Sequence, residues 1–208
     1  MSMPQPIIQI IDDDDSFRKA ISRLLNAAGY EVRDYASCGD FLLAGPLNTP
    51  GCLILDVRLP GPSGLEMQEA LNRQGHAIPI IFLTGHGDIP MSVRAIKAGA
   101  LDFLTKPVQR KKLLSAVRSA LAFDAKVRAR QEQIASLQAH YETLTPRERS
   151  VFVLVVQGKL NKQIASELGI AERTVKMHRS QVMAKMQVES LAELVRVAGR
   201  LRTGDEPV

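Results

Sequence analysis

Four short apolar runs punctuate the first 107 residues, and each ends on a residue with chemistry to offer. Residues 7–11 run into Asp12, Asp13, Asp14 and Asp15; residues 52–55 run into Asp56; residues 80–83 into Thr84; and residues 103–105 into Lys106 and Pro107. Short, nearly continuous apolar runs are the pattern of parallel strands buried on both faces. Between them, residues 16–28, 64–74 and 88–98 and a long stretch from 109 have helical character. The repeated strand–helix alternation predicts a doubly wound α/β sheet whose ligand crevice opens at the carboxyl ends of the strands. All four special segments then face one crevice.

The alternation stops near residue 121 of 208, which predicts two domains, 1–121 and 144–208, joined by residues 122–143. From 108 to 145 there is no Gly and no Pro. Apolar residues at 3, 4 and 7 spacing, including Leu113, Val117, Leu121, Ile134 and Leu137, allow one long helix through this stretch; a frayed polar linker is the other reading, because 122–133 is mostly small and charged. No apolar run approaches the roughly 20 residues of a membrane span, and residues 1–6 lack a signal-peptide pattern. A cytoplasmic protein with no membrane partner is expected. Cys38 and Cys52, too few for a disulfide framework and outside metal-ligand spacing, read as small buried hydrophobes.

Charge is unevenly shared. Residues 1–121 hold 13 Lys/Arg against 12 Asp/Glu, whereas 145–202 hold 11 against 5, a net of +6. The basic second domain fits a nucleic-acid partner, although such a patch could also face an acidic protein.

In the crevice, each close pair of carboxylates would repel by roughly 4 kcal/mol at an effective dielectric near 20. Asp12, Asp13 and Asp56 therefore ask for a hard cation, and Mg2+ takes one or two carboxylates plus a phosphate. A lone strand-end Asp beside such a metal suits acyl-phosphate chemistry, which makes Asp56 the candidate nucleophile. Lys106 would neutralise a phosphoryl oxygen and the Thr84 hydroxyl would donate to another. Taken singly, the acids are an ordinary helix start, Thr84 a strand end and Lys106-Pro107 a turn. Their agreement at consecutive strand ends is what points to a site.

In the second domain, Thr145-Pro146-Arg147-Glu148 is a capping box with Pro at the first helical position. That helix is expected to end at Gly158. Asn161 is expected to cap a helix over 162–168 closed by Gly169, and Glu172 to open a third helix to about Met186. Two helices joined by so short a Gly-containing turn make a helix-turn-helix, whose second helix enters the major groove. A fourth helix over 190–200 would complete the core through Leu191, Leu194, Val195 and Ala198. On the third helix Lys176, Met177 and Ser180 are placed for base edges, while Val175, Val182 and Met186 belong to the core. Lys162, Arg173, Thr174, Arg179 and Lys185 are placed for phosphates. A protein-interaction module with a solvated basic face is the alternative. His178, with no partner ligand nearby in sequence, reads as packed or phosphate-contacting.

Residues 5–121 resemble the receiver domain of bacterial two-component response regulators, through Asp12-Asp13-Asp14, the segment Asp56-Val57-Arg58-Leu59-Pro60-Gly61-Pro62-Ser63-Gly64, Thr84-Gly85-His86-Gly87-Asp88 and Lys106-Pro107. The stretch 84–90 is similar to the FixJ-type regulators. The resemblance implies a five-stranded parallel sheet in flavodoxin-like order 2-1-3-4-5, with Asp13 ligating Mg2+ directly and Asp12 mostly through water. It implies that Asp56 accepts the phosphoryl group, that the Arg58 carbonyl completes the metal shell, that Thr84 and Phe103 form the switch pair, and that the Lys106–Pro107 peptide is cis. Many receivers carry Tyr where Phe103 stands, so no hydroxyl contributes there. Residues 144–198 resemble the LuxR-type DNA-binding domain through Leu144-Thr145-Pro146-Arg147-Glu148-Arg149, Asn161-Lys162-Gln163-Ile164-Ala165, Thr174-Val175-Lys176-Met177-His178 and Val182-Met183-Ala184-Lys185-Met186. Ala171 departs from that family, which usually has a Ser or Thr cap there.

These likenesses imply a non-enzymatic regulator that a sensor histidine kinase phosphorylates, that pairs as a homodimer through residues 89–120, and that binds double-stranded promoter DNA to regulate transcription, as an activator. The whole chain is also similar to regulators of styrene and toluene catabolism in pseudomonads. Two other readings differ in class. A receiver that works unphosphorylated through protein contacts is one. The other is an aspartate-nucleophile, Mg2+-dependent phosphatase, which would place a second Asp where Arg58 stands.

Overall fold

The computed structural model describes residues 5–45, 49–85 and 89–203. The chain divides into two compact units, residues 1–128 and 129–208.

In the first unit β1 (Ile7–Ile11), β2 (Glu31–Tyr35), β3 (Gly51–Asp56), β4 (Ile80–Thr84) and β5 (Asp102–Thr105) form one parallel sheet in the order β2-β1-β3-β4-β5. Helices α1 (Asp15–Ala27), α2 (Cys38–Ala44), α3 (Gly64–Arg73), α4 (Ile89–Lys97) and the first part of α5 (Arg110–Glu142), up to Arg128, connect and follow the strands. Side chains alternate along each central strand, so the apolar runs feed two cores. Ile11, Leu53, Leu55, Ile80 and Phe82 meet Phe41, Met67, Leu71 and Ala95 on one face. Ile8, Ile10, Cys52, Ile54, Ile81 and Leu83 meet Ile21, Leu25, Leu113 and Val117 on the other. Both cysteines are free and buried, as expected, and burial pushes the Cys52 thiol up to about 12. The expected start of the fourth helix at Asp88 lies outside the described residues.

Within the Gly- and Pro-free stretch, residues 110–142 form one unbroken helix, α5, of 33 residues. Its buried stripe does not stop at residue 121. Asp124 is buried and accepts from the Gly51 amide at 2.9 Å, while Arg128 bonds both Asp124 and the Thr49 carbonyl. Gly51 has no room for a side chain, since a Cβ would lie 1.9 Å from the Ile7 carbonyl oxygen.

The second unit has α6 (Pro146–Val156), α7 (Asn161–Leu168), α8 (Glu172–Lys185) and α9 (Leu191–Thr203). Thr145 and Glu148 make the expected capping box. Asn161 does not cap α7, contrary to expectation. Leu160 is the N-cap residue, its amide donates to Gln163 Oε1, and the Asn161 side chain accepts from Arg179 instead. Ala171 likewise supplies no side-chain cap to α8, which starts through its carbonyl, the acceptor for the Thr174 and Val175 amides. Of the four residues expected to bring α9 into the core, Leu194 and Ala198 are buried, whereas Leu191 and Val195 are more than two-fifths exposed. Val195 sits one residue past Leu194 and turns to solvent, whereas Leu191, in step with Ala198, is the first residue of α9.

Candidate functional site

Strand register assembles the first unit's crevice. Ile11 lies beside Leu55 and Thr84 beside Thr105, so the residues that end β1, β3, β4 and β5 meet along one edge. The ladder continues one step past the strands, with the Val57 amide donating to the Leu83 carbonyl and the Lys106 amide to the Thr84 carbonyl. The Lys106–Pro107 peptide is cis.

Asp12 and Asp56 are buried and Asp13 is exposed, and oxygens from all three carboxylates lie within 4.8 Å of one another. Lys106 Nζ bridges the two buried acids, 2.6 Å from Asp12 Oδ2 and 2.6 Å from Asp56 Oδ2. Burial pushes the Asp12 carboxyl above its ordinary range, against the pull of Lys106 and the Asp14 amide. Burial also opposes the charge on Lys106, but its hydrogen bonds to Asp12 and Asp56 prevail and hold the ammonium above its usual value. One tethered cation thus faces three carboxylates. The donors are all hard oxygens gathered within 4.8 Å of one another, and this set fits Mg2+.

The other residues of the crevice have distinct places. Thr84 is fully buried at the end of β4. Phe103 on β5 is half-buried, its ring 6.2 Å from that of Phe82. Arg58 turns its side chain to solvent, and its amide donates to Asp56 Oδ1 at 3.1 Å, which brings the 56–58 backbone to the mouth of the site.

Three contributors carry no signal in the apolar runs. Arg18 Nη1 donates to the Asp12 carbonyl at 2.7 Å and so fixes the backbone under the acids. The Phe17 ring lies 4.2 Å from Lys106 Nζ. Gly64 lets α3 press on the site, because a Cβ there would fall 2.2 Å from the Asp56 carbonyl oxygen. A DxxxR spacing after the acids, with Arg18 one helical turn beyond Asp14, is the trace that could have revealed the first.

In the second unit, α7 and α8 are joined by a turn at Gly169, which adopts φ +64°. Arg173, Lys176, Met177 and Ser180 are exposed on α8 and Lys162 is exposed on α7, while Thr174 is half-buried. Val175, Val182 and Met186 are buried. Two of the cations expected to meet phosphates have partners within the unit. Lys185 Nζ is 2.6 Å from the buried Glu148 carboxylate and also reaches the Thr143 carbonyl. Arg179 donates to Asn161. His178 is half-buried, and its Nδ1 is enclosed without a hydrogen-bond partner.

Comparison with known proteins matches residues 8–118 to the response regulator receiver domain and residues 142–198 to the luxR family of bacterial regulatory proteins. The chain belongs to the two-component response regulators. Response regulator protein TmoT of Ectopseudomonas mendocina is 48% identical over 202 residues, 97% of this chain and 92% of TmoT. The solved structure of response regulator StyR is 45% identical, with a TM-score of 0.85, and the match covers 94% of this chain and 99% of StyR. Full-length FixJ from B. japonicum is 38% identical with a TM-score of 0.58, over 96% of this chain and 98% of that one. The first unit is therefore a receiver and the second a LuxR-type DNA-binding domain of a transcription regulator. Among the described residues no helix is long and apolar enough to cross a membrane.

Proposed function

We propose that this response regulator is switched by phosphorylation of Asp56. The observation that carries the reading is the bridging of Asp12 and Asp56 by one lysine at the carboxyl edge of the sheet. An Asp56 carboxylate oxygen attacks the phosphorus of a phosphohistidine on a sensor histidine kinase; the O–P bond forms as the P–N bond breaks. Bound Mg2+, held by Asp12, Asp13, Asp56 and the Arg58 carbonyl, would offset the charge gathered there. Lys106 keeps its ammonium beside Asp56 and neutralises a phosphoryl oxygen, and the Thr84 hydroxyl donates to another. Movement of Thr84 toward the phosphoryl group frees space that the Phe103 ring fills, and the change reaches the face formed by α4, β5 and α5.

That face has the character of a pairing surface. Ile89, Val93 and Ile96, at i, i+4 and i+7 on α4, are all exposed. We propose that the phosphorylated chain forms a homodimer there and so presents two helix-turn-helix units to a two-fold promoter site. On α8, Lys176, Met177 and Ser180 face base edges, with Arg173, Thr174, Lys162 and Arg179 on phosphates. Lys185, bonded to Glu148, we assign to the fold. The resemblance of the whole chain to regulators of styrene and toluene catabolism makes an aromatic, styrene-type catabolic operon the proposed target.

Intact mass after incubation with acetyl phosphate and Mg2+ tests the switch. The native chain gains one phosphoryl group and the Asp56→Asn chain gains none. A native chain that stays unmodified by acetyl phosphate and by its cognate kinase would leave the receiver signalling without phosphate.

A further inference from the structure

The buried stripe of α8 reads Val175, Arg179, Val182 and Met186, at i, i+4, i+7 and i+11. Three of the four are core residues; the arginine between them is half-buried. Its position on that stripe turns it toward α7, where Nη1 donates to Asn161 Oδ1 at 2.8 Å. Asn161 is the first residue of α7, a place where an Asn oxygen is commonly used on a free backbone amide. Here α7 has no side-chain cap from its N-cap residue, and the amide of Asn161 holds a guanidinium.

The chemistry of that choice points outward. A carboxylate at position 161 would have neutralised the guanidinium, whereas a neutral amide fixes its orientation and leaves its charge intact. Among the described residues no carboxylate forms an ion pair with Arg179. The seam of α7 and α8 also carries the exposed cations Lys162 and Lys176 in a domain with net charge +6 over residues 145–202. We propose that Asn161 is a positioning residue for DNA binding, one that presents Arg179 to a backbone phosphate where the helix-turn-helix meets the duplex. This rests on the DNA-binding reading of the second unit and adds the residue that orients one of its contacts.

The test uses the full chain and a mixed-sequence duplex of about 30 base pairs, because a phosphate contact is felt without sequence specificity. Binding is measured against salt for the native chain and for Asn161→Ala, Arg179→Ala and the double variant. Asn161→Ala is expected to weaken binding about three- to tenfold at low salt and to lower the slope of log K against log salt by about 0.9, the signature of one lost phosphate contact. The double variant should bind no more weakly than Arg179→Ala alone, since the asparagine acts through the arginine. A slope unchanged in both single variants, whether or not their melting temperatures fall, would reduce the pair to a tie between α7 and α8 and overturn the proposal. A native chain that fails to bind the duplex at low salt would instead remove the DNA-binding reading, and the proposal with it.

Discussion

Two buried acids, one in each unit, respond to pH with opposite sign. The Asp12 carboxyl is raised by burial, so its ionised form costs stability in the folded receiver. Relative to an uncharged residue of the same shape, stability is therefore lost as pH rises from about 4 through the raised value. Asp12→Asn should make the receiver more stable than native at pH 7 in the presence of EDTA, and the advantage should vanish below about pH 4; denaturant melts at the two pH values check this. Glu148 runs the other way. The hydrogen bond from Lys185 and those from Thr145 hold its carboxyl below the ordinary range although burial opposes them. Its contribution is present above the ordinary carboxylate pKa and is lost as pH falls through the depressed one. The same logic shows why Lys185, a surface cation by sequence, is tied to the fold: Glu148 is buried, and a buried carboxylate left alone is expensive.

At the scale of elements, α5 is anchored by a polar contact in the stretch where helix and frayed linker are the two readings of the sequence. Asp124→Ala would leave the Gly51 amide without its acceptor and take the carboxylate from Arg128, and should cost the receiver about 2–3 kcal/mol, read as a lower denaturant midpoint. Loss of helix signal limited to the part beyond residue 121, with an unchanged midpoint, would contradict it. Asp124 escaped notice because a single acid in a charged stretch has no periodicity; its partner is the amide of a residue 73 positions away. The central strands were legible for the converse reason. β1, β3 and β4 are buried along their whole length and so are written as nearly continuous apolar runs, with Gln9 the one polar residue inside them. β2, Glu31-Val32-Arg33-Asp34-Tyr35, is an edge strand with three exposed polar residues and no such run, and α2 is too short to show a period. The acids, Thr84 and Lys106 were legible as strand ends, since the end of a parallel strand is where the crevice lies. Asn161 misled because cap preference and side-chain bonding compete for the same oxygen, and only tertiary contact with Arg179 decides.

For the whole molecule, a clean switch needs a large bias: moving a population from 1:99 to 99:1 takes about 5.5 kcal/mol. Phosphorylation should convert the native chain to a dimer by light scattering and strengthen its binding to promoter DNA, and Asp56→Ala should abolish both increments while leaving the basal values. Undiminished stimulation in that variant would separate pairing from Asp56. The bridging lysine sets a further condition on such a switch. Lys106 is a counter-ion supplied by the chain itself, held at an effective concentration fixed by the sheet, and any mobile cation must compete with it for the same oxygens. Lys106→Met should therefore bind Mg2+ more tightly than the native chain by calorimetry, yet accept phosphate poorly. Under the proposed switch the lysine would act as a tethered inhibitor of metal binding, released when a phosphoryl group arrives to take its charge, so that metal and phosphate would be sensed together.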